Sequence, residues 1–150
     1  RTFSSAASDV YKRQPQVVDD VLNLIDSPLI VSHTGFKGHC DRKRNISDDL
    51  MMRIAERGGL IGVGFWSEAV CGTEVTAIAD AIAYGVETFG VEAVALGSDW
   101  DGAVTTPLAA NDLAYLTSAL LKRGLSENEI RAVMGGNTIQ YFLEHLPATD

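Results

Sequence analysis

Apolar and polar positions alternate along this chain in blocks rather than at random. Leu29-Ile30-Val31-Ser32-His33 is a short β-branched run, followed at once by Thr34-Gly35. Leu60-Ile61-Gly62-Val63-Gly64-Phe65 is a second, and Val94-Ala95-Leu96-Gly97-Ser98-Asp99 a third, which leads into Trp100-Asp101-Gly102. Continuous runs of this kind predict strands buried on both faces, ending at 33, 65 and 99. The segments between them repeat at helical spacing. Pro15 opens a stripe of Val17, Val18, Val21, Leu22, Leu24 and Ile25 that Ser27-Pro28 stops. Ser47 is placed to cap a helix marked by Leu50, Ile54 and Ala55, with Asp48 and Asp49 in its first turn and Gly58-Gly59 after it. Val75, Ile78, Ala79 and Ile82 predict a helix to about Gly90, and Leu113, Leu116 and Leu120 another to Gly124. Ser126-Glu127-Asn128-Glu129 reads as a capping box, and a last helix runs from about Asn137 to Leu146. Residues 34–46, 66–72 and 100–107 read as loops, the first of them long, polar and charged.

The order is therefore α-β-α-β-α-β-α-α, the fold class α/β. Its repeat suits a (β/α)8 TIM barrel, with a doubly wound open sheet as the rival. No Gly-x-Gly-x-x-Gly follows a strand, so a dinucleotide site has no support. Three strands cannot close a barrel, and eight with their helices need roughly 250 residues. On the barrel reading the chain is about the last three βα units, the C-terminal part of one domain spanning 15–150. Residues 1–14 fit no pattern. The string from Ser4 to Gln14 resembles translated adaptor or ligation sequence, so 1–14 is set aside as a non-native or disordered segment.

Composition narrows the partners. The net charge is −8, which disfavours nucleic acid, whose phosphates need a basic face. No apolar run approaches the length of about 18 residues that a membrane span needs. Candidate chemistry sits where parallel α/β folds build it, at the carboxyl ends of strands: His33 after the first and Asp99 after the third. By residue type alone a single histidine there is more often structural than a metal ligand.

Taken in order, Ser32-His33, Cys40-Asp41-x-x-Arg44-Asn45-Ile46-x-Asp48-Asp49, Gly97-Ser98-Asp99-Trp100-Asp101-Gly102 and Gly135-Gly136-Asn137 with Phe142 resemble the membrane (renal-type) dipeptidases, peptidase family M19. The resemblance covers about residues 15–146. It implies a metal-dependent TIM barrel with two Zn2+ ions that hydrolyses dipeptides to free amino acids. It implies that His33 is a metal ligand, that Arg44 binds the dipeptide carboxylate, and that Asp99 has a proton-transfer or orienting role. The family's other ligands would lie upstream, so these residues alone would not be active. A homodimer is a further family expectation.

The chemistry accounts for the residue types. Paired zinc ions acidify water and polarise a carbonyl. An arginine fork matches a free carboxylate and restricts the enzyme to short peptides. His39 has no ligand role in the family pattern, His145 reads as a surface residue, and Asp101 as a turn former. Trp66 and Trp100 are equally suited to wall a pocket or to cap the core. Secreted members of the family bridge the positions of Cys40 and Cys71. The cytoplasm is slightly favoured here, and a periplasmic or secreted location follows if the two cysteines are bridged. The rival functions are another barrel metallohydrolase, such as a metal-dependent deoxyribonuclease or deacetylase, and a degenerate half-barrel that only binds.

Overall fold

The three apolar runs become a parallel sheet in the structure, a computed structural model that describes residues 15–146. The strands are β1 (Ile30–Thr34), β2 (Leu60–Val63) and β3 (Val94–Leu96). They lie in the order β1-β2-β3, with Ile30 opposite Leu60 and Ile61 opposite Val94. All of β2 is buried, because helices cover both faces of a parallel sheet. The second and third apolar runs continue beyond the assigned strands: Gly64 N still donates to Thr34 O and Gly97 N to Val63 O, at 2.8 and 2.9 Å, before Phe65 and Ser98-Asp99 leave the sheet as rim segments. Among the described residues the outer edges of β1 and β3 have no strand beside them.

Helices alternate with the strands as the spacing predicts. α1 (Pro15–Leu24) buries Val18 and Leu22, and α2 (Asp48–Glu56) buries Leu50, Met51 and Ile54. Arg53 of α2 pairs with Asp19 and donates to Asn23 Oδ1 at 3.0 Å, joining the two helices. A four-residue helix, α3 (Ser67–Val70), interrupts the loop after β2. α4 (Val75–Phe89) follows and stops at Gly90, whose φ of 91° an L side chain would resist. α5 (Leu113–Lys122) pairs Arg123, just beyond its end, with Asp80 of α4. The capping box opens α6 (Glu127–Arg131): Ser126 Oγ accepts from Glu129 N at 3.3 Å, and Ser126 N donates to the Glu129 carboxylate at 2.7 Å. A π-type turn over Ala132–Gly136 leads to α7 (Asn137–His145).

Ser47 occupies the cap position of α2, but its side chain makes no cap hydrogen bond. Asp48, one residue on, turns back instead and accepts from Gly38 N at 3.1 Å. Ile139, Phe142 and Leu143 of α7 are exposed. Beside them a cavity of about 250 Å3 is lined by Leu96, Val133, Met134 and Ile139, next to the open edge of β3. Among the described residues no helix is long and apolar enough to cross a membrane.

Candidate active site

His33 reaches the sheet's carboxyl rim through an irregular strand. Val31 pairs with Ile61 and Thr34 with Val63, so Ser32 and His33 both face the single residue Gly62. Such a bulge bends the strand and re-aims a side chain, and bulges gather at barrel rims beside active sites. The neighbour must be glycine: a Cβ on Gly62 would lie 2.1 Å from Ser32 O. Gly97 is as constrained, since its Cβ would lie 2.4 Å from Ser32 O and 2.9 Å from His33 Cα. Two glycines thus let β1 and β3 curl toward each other across β2.

That curl brings two of the three expected site residues together. His33 Nε2 lies 3.7 Å from Asp99 Oδ1, and their side chains are 17% and 16% exposed. Ser32 Oγ sits 2.7 Å from His33 Nδ1, leaving Nε2 as the nitrogen turned to Asp99. The Trp66 ring stands edge-on to the imidazole, 5.9 Å between centroids at 72°. Trp66 is buried in the core, whereas Trp100 is 39% exposed and packs on Phe65. Asp99 holds a φ of 58°, a left-handed conformation uncommon outside glycine, asparagine and aspartate. Asp99 O accepts from Gly102 N at 2.9 Å, closing a turn around Trp100 and the exposed Asp101. A Cβ on Gly102 would lie 2.5 Å from Asp99 Oδ1, so this glycine makes room for the carboxylate.

Arg44 is exposed on the loop that follows β1. The loop is not the solvated polar segment its charge pattern suggests. Phe36, Cys40, Asn45 and Ile46 are buried in it. Cys40 and Cys71 form a disulfide, with Cα atoms 5.5 Å apart. His39 packs its ring on Tyr84, and exposed His145 stacks on Tyr141. Asn137 donates to Val91 O and Val94 O at 2.7 and 2.8 Å, so the Gly-Gly-Asn motif docks α7 onto the entry to β3. The bulge partner Gly62 and the spacer Gly102 are not among the site residues the sequence points to, although Gly102 closes the string that carries the family resemblance. Only their glycine identity inside apolar or turn-forming runs carried a signal.

Donor chemistry decides whether a metal suits this rim. A neutral imidazole nitrogen beside a carboxylate is a pairing that Zn2+ and similar divalent ions accept. The second imidazole nitrogen held by a hydroxyl is the orienting contact that metal-bound histidines need. The residues fit as part of a ligand set. Among the described residues no group of three or more His, Cys, Asp or Glu side chains could hold an ion without help.

The family model for membrane dipeptidase (peptidase family M19) matches residues 8–145. The chain is 32% identical to Dipeptidase ataJ of Aspergillus terreus (strain NIH 2624 / FGSC A1156) over 129 residues, 81% of this chain and 32% of that protein. It superposes with a TM-score of 0.78 and 24% identity on a metallopeptidase from Rhodobacter sphaeroides liganded with a phosphinate mimic of the dipeptide L-Ala-D-Ala. That match covers 85% of this chain and 39% of the other. Another solved structure, the dipeptidase AC of family M19, matches with a TM-score of 0.75 and 25% identity, over 83% and 40% of the two chains. The chain spans less than a third of the length of the curated relatives it matches.

Proposed function

The chain belongs to the membrane dipeptidase family, peptidase family M19, and from that premise we propose that it is the C-terminal part of a zinc-dependent dipeptidase barrel. The family is one of metallopeptidases, and its solved members share this fold. The observation that carries the reading is the approach of His33 Nε2 to Asp99 Oδ1 at 3.7 Å, across the carboxyl rim of a parallel sheet. The open edge of β3 and the exposed apolar row on α7 suit a sheet that continues into further βα units.

In this reading His33 holds zinc through Nε2, while Ser32 keeps the ring in place through Nδ1. Bound zinc supplies a water acidified toward neutral pH and a polarised scissile carbonyl. Arg44 grips the free carboxylate of the dipeptide in a two-pronged hydrogen bond, which excludes longer chains. Asp99, beside His33, accepts a proton during attack or orients the substrate amine. The remaining ligands belong to the upstream part of the protein, so residues 1–150 alone do not turn over dipeptides. We further propose an oxidising compartment, periplasmic or secreted, a reading that the Cys40–Cys71 bridge supports. We also take the working form to be a homodimer, which light scattering checks.

The test is dipeptide hydrolysis by the full-length, zinc-loaded protein. His33→Ala should lower kcat/KM by more than about a hundredfold, beyond the loss that follows when only a group supporting a metal ligand is removed. Arg44→Ala should raise KM about a hundredfold and retain measurable turnover, because it removes a charge-assisted binding contact. A folded, zinc-loaded wild type without dipeptide turnover would sink the proposal.

A further inference from the structure

Arg44 immediately precedes a residue that the fold pins firmly. Asn45 is 3% exposed, and its Nδ2 donates to three carbonyl oxygens: Cys40 O at 2.7 Å, Ala69 O at 3.1 Å and Glu68 O at 3.2 Å. One of these acceptors lies within the loop that follows β1, and the other two lie in α3, beyond β2. A single side-chain amide therefore ties two neighbouring rim segments together. The cradle is tight, since a Cβ on Gly35 would lie 2.2 Å from Ala69 O and 2.5 Å from the Asn45 amide. The Cys40–Cys71 disulfide joins the same two segments covalently. Ile46 N donates to Gly35 O at 3.2 Å and Lys37 N to Ile46 O at 2.9 Å, which holds the loop's two arms against each other. Asn45 N also donates back to Arg42 O at 3.1 Å, closing the turn that carries Lys43 and Arg44.

We propose that Asn45 is a positioning residue for Arg44. Its buried amide, with the Cys40–Cys71 bridge, fixes where the guanidinium is presented to the substrate carboxylate. This inference rests on the dipeptidase reading above. A long, flexible arginine gains specificity only if its backbone origin is fixed, because a displacement of about 1 Å degrades a two-pronged contact. No other side chain can replace the amide easily. Aspartate would aim a carboxylate at three carbonyl oxygens, and alanine would leave those buried carbonyls short of a donor.

The experiment is steady-state hydrolysis by the full-length zinc enzyme carrying Asn45→Ala, alone and combined with Arg44→Ala. Asn45→Ala should raise KM about tenfold and hold kcat within about twofold, the signature of lost uniform binding. In the Arg44→Ala background it should add less than about twofold to the loss in kcat/KM, because the residue it positions is gone. A merely structural role would add the same loss in both backgrounds. If Asn45→Ala does not fold, Cys40→Ser/Cys71→Ser decides, since it frees the same loop from the other side. The same split in KM supports the inference, and an unchanged KM overturns it. A wild type that turns over dipeptides beside a folded Asn45→Ala of unchanged KM overturns this inference alone. A wild type that turns over none overturns it together with the dipeptidase reading.

Discussion

Two of the three loops that leave the carboxyl rim of the sheet, those after β1 and β3, are held by different physics. Between β1 and α2 the chain buries Phe36, Cys40, Asn45 and Ile46, carries one end of a disulfide, and takes a hydrogen bond from Gly38 N to Asp48. Between β3 and α5 only Leu108 is buried from 98 to 112. That second loop is gathered by Trp100 Nε1 and Thr106 Oγ1, which both donate to Leu108 O at 2.9 and 3.0 Å, and by the turn at Asp99. The first loop is preorganised by side chains that serve no chemistry themselves. The second holds Asp99 in a left-handed backbone conformation and with few anchors. Anchoring is concentrated in the loop that carries Arg44 and is lean in the loop that carries Asp99.

The strongest way to break this comparison is to cut the heavier anchor. Cys40→Ser/Cys71→Ser should cost about 3–4 kcal/mol, the loop-closure entropy of a cross-link that spans 31 residues of sequence. Trp100→Phe, which removes one hydrogen bond at a side chain 39% exposed, should cost less than about 1 kcal/mol. Urea unfolding of the full-length protein under oxidising conditions measures both. Equal losses would mean that the two loops are equally anchored.

Asp99 sharpens the comparison from the other side. Glycine occupies a φ of 58° without strain, so Asp99→Gly should leave stability unchanged or raise it by up to about 1 kcal/mol. Dipeptide turnover should meanwhile fall by about a hundredfold or more, as for loss of a general base. A stability loss beyond about 1 kcal/mol would instead make the carboxylate an anchor of its loop.

The sequence carried much of this, unevenly. Strand starts at 30, 60 and 94 follow directly from the apolar runs, because a buried parallel strand has no polar alternation to blur it. The strand ends did not: Phe65 and Asp99 continue the runs but lie outside the ladder, where hydropathy cannot tell a paired residue from a rim residue. α3 is four residues long, too short for a helical period to register. The loop after β1 reads as polar because Lys37, Asp41, Arg42, Lys43 and Arg44 mask its scattered buried members. Its order comes from Asn45 reaching carbonyls more than twenty residues away, a contact with no local pattern. His33 and Asp99 were each legible as strand-end residues. Their meeting depends on the bulge at Ser32-His33 and on glycines at 62 and 97, which are visible only once the strands are paired.

The smallest effect tests whether the first loop has an electrostatic anchor as well. The Tyr84 hydroxyl donates to Asp48 Oδ2 at 2.5 Å, and Asp48 Oδ1 accepts from Gly38 N in the loop. The hydrogen bond to Asp48 first, then burial and the nearby carboxylate charge, hold the Tyr84 phenol above its ordinary value of 10.0. The phenol must stay protonated to donate, and a phenolate would face the carboxylate. A raised folded value means that the contribution to stability is complete below about pH 10 and is lost as pH climbs through the raised value. Because the phenol is largely solvent-screened, Tyr84→Phe should cost only about 0.5 kcal/mol at neutral pH. The gap between wild type and Tyr84→Phe should then close as pH rises beyond about 10, with the other tyrosines common to both proteins cancelling. Urea midpoints measured in parallel from neutral to strongly alkaline pH give the answer. No gap at any pH would show that the Tyr84 ring holds the loop by packing alone, as Phe36 does, and would leave Asn45 and the disulfide as its other anchors.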